Sequence, residues 1–243
     1  MNQPSTTKPT ARGCVIIPAY REAGRISAVV EGVKKFIPDV MVVDDGSPDE
    51  TANQAEQAGA MVLRHDVNCG KGAALDTGFR AARDRGFDFA ITMDGDGQHA
   101  PSDLPGFIQT YLQSGTPVLV GTRMSDTRSM PWVRRMTNRF MSWLLSREMG
   151  QWVPDTQCGY RLYALAVVPE ISAESKRFAA ESEILMDLSL RGVKIGSVPI
   201  ATIYGTERSK IHPIKDTLRF IKMLRQYRKR ARQQPVGRQQ RLT

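Results

Sequence analysis

The stretch Phe89-Ala90-Ile91-Thr92-Met93-Asp94-Gly95-Asp96-Gly97-Gln98 decides the fold. Its first half is an apolar run with the pattern of a buried strand, and its second half delivers two carboxylates and an amide oxygen at spacing two from the strand's carboxyl end. Oxygen ligands of this kind suit the hard cations Mg2+ and Mn2+, which keep some waters and share their shell with substrate phosphates. Asp94, Asp96 and Gln98 are therefore candidate metal ligands, and a metal beside a diphosphate points to nucleotide chemistry. A calcium loop starting at Asp94 is excluded, because it needs Gly where His99 stands and Glu where Pro105 stands. The plain alternative is a solvated turn that uses Asp and Gly for their turn chemistry.

Outward from this stretch, short apolar runs recur at 14–17, 40–43, 61–63 and 118–120. Between them, segments 25–36, 50–58, 72–85 and 102–113 space their apolar residues by three and four, the helical period. Alternation of strand and helix predicts an α/β domain with a largely parallel central sheet and helices on both faces. Ligands of such sheets bind beyond the carboxyl ends of the strands. Three polar clusters follow strands here: Pro18-Ala19-Tyr20-Arg21-Glu22, Asp44-Asp45-Gly46-Ser47 and Asp94-Gly95-Asp96, and all three are expected on one edge. The second half is less regular, with a basic-aromatic helix near 131–149, a polar turn at 155–159, a helix through 183–191 and a final helix about 213–232.

A chain of 243 residues with 41% hydrophobic content accommodates one sizeable α/β domain plus extensions. Residues 1–12 are polar, carry Pro4 and Pro9, and lack the apolar centre of a signal peptide, which predicts a disordered start and a cytoplasmic protein. No apolar stretch approaches the ~20 residues that cross a bilayer, so membrane contact is expected to be peripheral. Cys14, Cys69 and Cys158 are odd in number and widely spaced, the pattern of reduced structural thiols rather than a disulfide framework or zinc site. Charge is unevenly placed. After Asp216 there are nine basic residues and no acidic one, so the net +9 resides in the tail and the first 216 residues balance. Such a block is a solvated tail or a surface for polyanions, either nucleic acid or anionic lipid.

Smaller motifs carry paired readings. Asp44-Asp45-Gly46-Ser47-Pro48-Asp49 leaves a strand and enters a helix; Ser47 or Asp49 can cap that helix, while a carboxylate at the strand end can accept from a base N–H or a ribose hydroxyl. Gly70-Lys71-Gly72 fails the P-loop pattern, since no Ser or Thr follows Lys71 and position 65 is His, and Leu75 breaks a dinucleotide fingerprint. It is either a glycine turn opening a helix or a loop that sets Lys71 near substrate. The segment from Pro131 through Trp143 mixes aromatic and cationic side chains on one amphipathic helix, which either packs on the sheet or sits at a water-lipid boundary.

Taken together, Val15-Ile16-Ile17-Pro18-Ala19-Tyr20-x-Glu22, Val42-Val43-Asp44-Asp45-Gly46-Ser47, Asn68-x-Gly70-Lys71-Gly72, Met93 through His99, Gly121-Thr122-Arg123, Asp155-x-x-x-Gly159-Tyr160-Arg161 and Arg208-Ser209-Lys210 resemble family 2 glycosyltransferases of the GT-A fold. The resemblance is closest to the dolichyl- or polyprenyl-phosphate mannose synthase group and covers residues 13–215, with 216–243 left as a basic helix and tail. It implies that Pro18, Ala19, Tyr20, Glu22, Asp44, Gly46, Lys71 and Gly95, with Asp94, hold a donor of the GDP-mannose or UDP-glucose type. Asp94, Asp96 and Gln98 would hold Mg2+ or Mn2+ on its diphosphate. Arg123, Arg134, Arg208 and Lys210 would face the acceptor phosphate, with Arg135 competing for the role of Arg134. Asp96, Arg123, Asp155 and Lys210 form the expected catalytic set.

Charge then sets the chemistry. Departure of a nucleoside diphosphate leaves negative charge for a metal and nearby cations to stabilise. An acceptor phosphate is already anionic and attacks without a general base, inverting the anomeric carbon. A hydroxyl acceptor needs a carboxylate to take its proton, and Asp155, Glu181 and Glu183 are the candidates, Asp155 first. A lipid-phosphate acceptor gives the basic tail a purpose at an anionic membrane face. Specific nucleic-acid binding explains the tail but not the acidic strand ends, and a non-catalytic nucleotide-sugar sensor is the remaining alternative.

Overall fold

Among the described residues, the predicted apolar runs become strands β1 (Gly13–Ala19), β2 (Val40–Asp44), β3 (Met61–Arg64), β4 (Phe89–Thr92) and β5 (Val118–Thr122). The intervening segments become helices α1 (Ile26–Lys34), α2 (Thr51–Gln57), α3 (Lys71–Asp84) and α4 (Leu104–Ser114). This computed structural model describes residues 11–124, 132–169, 180–201, 224–225 and 227–229. Every residue of β2, β4 and β5 is buried, which is why their sequences run apolar instead of alternating. Helix α1 buries Ile26, Val29, Val30 and Val33, the one-sided spacing of a helix lying on a sheet.

The later elements are α5 (Trp132–Met149), β6 (Arg161–Ala164), α6 (Ala180–Leu190) and β7 (Ile195–Pro199). Strands β6 and β7 extend the sheet beyond the sequence expectation, and α6 starts three residues before the expected 183. The sheet order is β3-β2-β1-β4-β6-β5-β7. All neighbours pair in parallel except β6, which runs antiparallel to both β4 and β5. That one reversal shapes the site. An antiparallel strand presents its amino end where its neighbours present their carboxyl ends, so the turn at 155–160 is delivered to the ligand-binding edge. Arg161 stands opposite Thr92 on one side and Val120 on the other. Its guanidinium is fully buried and donates to the carbonyls of Thr156 (2.8 Å), Cys158 (2.6 Å) and Glu181 (2.5 Å) and to the Tyr163 hydroxyl (3.2 Å). Four acceptors offset the cost of burying that charge and lock the turn to the sheet.

Of the C-terminal stretch, residues 224, 225 and 227–229 are helical and lie against α5. Leu224 and Tyr227 are buried, the Tyr227 hydroxyl donates to the Glu148 carbonyl (3.2 Å), and Arg228 donates twice to the Glu148 carboxylate (3.1 and 2.5 Å). Residues 1–10 and most of 216–243 lie outside the described residues. The cysteines are unpaired thiols, with Cys14 and Cys158 buried and Cys69 exposed. Burial pushes the Cys14 and Cys158 thiols up to about 12, so neither is a nucleophile at neutral pH. No helix among the described residues is long and apolar enough to cross a membrane.

Candidate active site

A cleft of about 730 Å³ opens at the carboxyl ends of β1, β2 and β4. Of the residues expected on the donor, Pro18, Ala19, Tyr20, Glu22, Lys71, Asp94 and Gly95 line it, together with Asp96. The three polar clusters do share one edge, and hydrogen bonds tie the first two to each other. Ser47 Oγ accepts the Arg21 N–H (3.0 Å) and Thr51 Oγ1 accepts the Glu22 N–H (2.9 Å). Arg21 is held at φ 59, a conformation unusual outside glycine, where its guanidinium lies 5.2 Å from the Tyr20 ring centroid. Ser47 therefore does not cap α2. Nor does Asp49, since the N-cap is Glu50 with no side-chain bond; Asp49 accepts locally from the Thr51 hydroxyl (2.5 Å) and N–H (3.2 Å), and these bonds hold its carboxyl below the usual range.

The second strand end departs from expectation. Asp44 is buried at the end of β2 and accepts the Ser47 N–H (3.3 Å), and the cleft is lined by Asp45 in its place. Asp45 in turn is occupied with the following loop. It accepts the N–H groups of Cys69 (2.9 Å) and Gly70 (2.7 Å) and lies 2.8 Å from His65 Nδ1, while His65 Nε2 is 2.9 Å from the Thr77 hydroxyl. Asp45, His65 and Cys69 bring metal-ligating atoms within 4.8 Å of one another, but these hydrogen bonds give the acid and the imidazole their work. Gly46 serves the turn and does not line the cleft. At φ 70 it presses on the next loop, where a Cβ would come within 2.6 Å of the Val67 carbonyl carbon.

Gly70-Lys71-Gly72 is a glycine turn that opens a helix and brings Lys71 to the cleft. Gly70, at φ 94, is the N-cap of α3, and Lys71 is the first helical residue and lines the cleft. Lys71 Nζ lies 2.5 Å from Asp94 Oδ1 and 2.9 Å from Glu181 Oε1, in the first turn of α6. Burial works against the ammonium, but Asp94 and Glu181 outweigh it and raise the Lys71 pKa above the usual lysine value. For Asp94, burial acts to raise the pKa, yet Lys71 and the other neighbouring cations bring it down to about 2. Gly159 backs this trio. A Cβ there would lie 2.8 Å from Glu181 Oε1, 3.0 Å from Asp94 Oδ2 and 3.1 Å from Lys71 Nζ.

The loop after β4 is shaped from within. Asp96 Oδ1 accepts the Gln98 N–H (3.0 Å), and His99 Nδ1 accepts the Asp94 N–H (3.3 Å). The His99 ring stacks on Tyr160 with centroids 5.0 Å apart, and its burial lowers its pKa, so it is neutral at physiological pH. Asp94 and Asp96 thus offer hard carboxylate oxygens to one cleft, a donor set that fits Mg2+ or Mn2+. Gln98 is part of the loop but does not line the cleft.

Arg123 follows β5 and meets Asp155. Its Nε and Nη2 donate to the two carboxylate oxygens at 2.7 and 2.9 Å, and its backbone N–H adds a third bond at 3.3 Å. Asp155 is 0% exposed. Both oxygens of this buried acid are turned to the guanidinium, the geometry of a brace that positions Arg123. Glu181 lines the cleft and Glu183 does not. Arg134 lies on α5 with its side chain outside the described residues, as are Arg208 and Lys210 altogether.

A second groove, of about 550 Å³, starts beside this pair. Its lining includes Met124 and Pro154, the chain neighbours of Arg123 and Asp155, and continues along α5 through Met136, Phe140 and Trp143 with Trp152 opposite. Arg135 and Arg139 complete it.

Comparison with known proteins agrees with this geometry. The family model for glycosyl transferase family 2 matches residues 14–171. A UDP-N-acetylglucosamine–dolichyl-phosphate N-acetylglucosaminyltransferase of Methanococcus voltae is 32% identical over 78% of this chain and 85% of its own. The polyprenol monophosphomannose synthase of Mycolicibacterium smegmatis is 30% identical over 81% of this chain and 79% of its own. Among solved structures, glucosyl-3-phosphoglycerate synthase from Mycobacterium tuberculosis in complex with UDP superposes with a TM-score of 0.68 at 20% identity, covering 89% of this chain and 80% of that one. The same enzyme with Mn2+, UDP-glucose and phosphoglyceric acid gives 0.65 at 20% identity, over 89% and 77%. At that identity the likeness speaks for the fold, which is the GT-A arrangement that the resemblance implied. With well over half of its length matched by the family model, and with relatives at this level across most of its length, the chain is a glycosyltransferase and belongs to family 2.

Proposed function

We propose that this enzyme transfers a hexose from a GDP- or UDP-linked donor to the phosphate of a polyprenyl lipid, with inversion, at the cytoplasmic face of a membrane. The groove that runs from the Arg123–Asp155 pair along the apolar side of α5 carries the reading. Arg135 and Arg139 line it among Met136, Phe140 and Trp143, so it offers cations beside an apolar track, the two needs of a phosphate on an isoprenoid chain. The names of the Methanococcus and Mycolicibacterium relatives, both lipid-phosphate glycosyltransferases, support it.

In this mechanism Pro18, Ala19, Tyr20 and Glu22 receive the base and ribose, and the amino terminus of α3 with Lys71 faces the diphosphate. Asp94 and Asp96 hold Mg2+ or Mn2+, with Gln98 shaping their loop. That ion, when bound, neutralises charge growing on the leaving group. Asp155 fixes Arg123 toward the acceptor phosphate, and Arg134, Arg208 and Lys210 are assigned to the same phosphate by the resemblance, with Arg135 competing for the place of Arg134. An anionic acceptor needs no general base, in keeping with an Asp155 whose oxygens are both engaged.

Peripheral docking follows from α5 and the tail. Trp132, Met136, Phe140 and Trp143 recur at spacings of four, four and three and are all exposed. Arg135 and Arg139 lie among them, and Arg147 sits 5.7 Å from the Trp143 ring centroid. Arg228 pairs with Glu148 near the end of the same helix. Aromatic rings interleaved with arginines suit an interface with anionic lipid. Turnover of GDP-mannose and UDP-glucose with a polyprenyl phosphate, against the corresponding polyprenol, tests the assignment. Transfer to the phosphate alone is the expected result, and transfer to the polyprenol alone overturns it.

A further inference from the structure

Asp94, an expected metal ligand, already has a cation of its own. Lys71 Nζ stands 2.5 Å from its Oδ1 and is tethered on the far side by Glu181 at 2.9 Å. This is a built arrangement and not a surface encounter. Lys71 is fixed at the start of a 14-residue helix, Gly70 is pinned by Asp45, and Glu181 Oε1 is buried without a hydrogen bond, with the Lys71 ammonium as its ion-pair neighbour. Gly159 supplies the room, since any side chain there would intrude on all three groups. The trio holds two carboxylates against one ammonium, and Asp96 adds a third acid in the same cleft. Two cations at hydrogen-bond range of one carboxylate repel each other strongly where water is partly excluded.

We infer that Lys71 is an exchangeable cation that competes with the divalent ion for Asp94 and gives it up only when a nucleoside diphosphate enters the cleft. The inference rests on the proposed donor site. Glu181 is the hinge of the exchange, keeping the ammonium at the head of α3, where it faces the incoming diphosphate. Metal and nucleotide then bind cooperatively by construction, because the diphosphate supplies Lys71 with negative charge to replace the carboxylate it leaves. Ion binding without donor is suppressed, and the ion and donor are taken up as a unit.

The test is Mn2+ binding to the full chain, read as free Mn2+ by electron paramagnetic resonance, with no nucleotide and with GDP or UDP. Lys71→Met removes the competing charge. It is expected to tighten nucleotide-free Mn2+ binding by roughly tenfold and to abolish most of the further tightening that the diphosphate gives the wild type. Lys71→Arg, which keeps a cation in place, is expected to bind Mn2+ alone as weakly as the wild type, and it guards against a Met variant that folds poorly. A site that Asp94→Asn weakens, but whose nucleotide-free affinity Lys71→Met leaves unchanged or lowers, refutes the role of Lys71 while keeping the metal site. Mn2+ binding in the presence of either nucleotide that Asp94→Asn leaves untouched refutes the metal site itself, and this inference with it.

Discussion

Replacing Asp155 by Asn separates a brace from a base. The wild-type carboxylate is 0% exposed and accepts from Arg123 Nε at 2.7 Å, Nη2 at 2.9 Å and the backbone N–H at 3.3 Å. Asparagine keeps the shape but loses the charge, and its amide turns an N–H against one of the guanidinium donors. Removing one partner of a buried ion pair costs about 3–5 kcal/mol, and the oxygen that Asn retains places this change near 3. For a domain of this size, at roughly 2–4 °C per kcal/mol, the melting temperature should fall by about 10 °C. Turnover with a phosphate acceptor should also fall, by about tenfold to a hundredfold, because Arg123 is no longer aimed. The double variant Arg123→Met with Asp155→Leu should recover much of the stability, as apolar replacements of buried pairs do, and none of the activity. Thermal unfolding and donor turnover on the same preparations give both readouts. Wild-type stability for Asp155→Asn, joined to complete loss of transfer to a hydroxyl acceptor, would refute the reasoning and restore Asp155 as a base.

Chelation should abolish transfer and added Mn2+ or Mg2+ restore it, and Asp96→Ala should show no such rescue; turnover by chelated Asp96→Ala at the wild-type rate would remove the metal from the scheme. Gly159→Ala places a methyl 2.8–3.1 Å from Glu181, Asp94 and Lys71. All three contacts are with ends of side chains that can yield, so stability should drop by under about 1 kcal/mol while turnover falls roughly a hundredfold, and unchanged turnover would contradict the packing of the trio. Asp94 is held at about 2 against an ordinary 3.8, a depressed carboxylate whose stabilising contribution is present above pH 3.8 and lost as pH falls toward 2. The gap in denaturation midpoint between wild type and Asp94→Asn should therefore be largest above about pH 5 and shrink below it, and a gap independent of pH would deny the Lys71 contact. Phe140→Ser with Trp143→Ser should weaken cosedimentation with phosphatidylglycerol vesicles by about tenfold with little change in melting temperature, since both side chains are exposed; undiminished binding would move the membrane contact off α5.

Much of this was legible because the parallel strands are buried on both faces and advertise themselves as apolar runs. The elements that escaped are those whose burial is not apolar. Strand β6 is four residues long and begins with Arg161, whose burial depends on carbonyls contributed by residues 156, 158 and 181, and no local pattern signals them. Asp44 and Asp45 are adjacent acids with the same sequence credentials, and which one meets the cleft was decided by the N–H groups of Cys69 and Gly70, more than 20 residues away. The partner of Asp155 escaped for a similar reason. Asp155 and Arg123 stand 32 residues apart, and only the fold brings Arg123 to it from the end of β5. Glu181 stood among the candidates for a proton acceptor, yet only the fold sets it against Lys71.

The antiparallel strand is what makes one site out of two. The residues proposed for the donor come from β1, β2 and β4 and from the start of α3, all in the first half of the chain. The groove proposed for the acceptor belongs to α5 and its surroundings, in the second half. Because β6 is inserted between β4 and β5 in reverse, the turn before it touches both: Gly159 backs Asp94 and Lys71, and Asp155 four residues earlier holds Arg123. Thr92 Oγ1 donates to the Gly159 carbonyl (2.9 Å), and the Tyr160 carbonyl accepts the Gly121 N–H (2.8 Å), so the turn is sewn to the donor strand and the acceptor strand alike. A displacement in nucleophilic substitution demands that the attacking and leaving oxygens be aligned, and an error of about 1 Å costs on the order of a hundredfold. Alignment here depends on a single rigid turn, whereas identity of the base, sugar and lipid depends on side chains that can change without moving it. Substitutions within 155–160 should therefore depress transfer for every donor and acceptor pair alike, while substitutions along α5 should change acceptor preference and leave donor affinity intact.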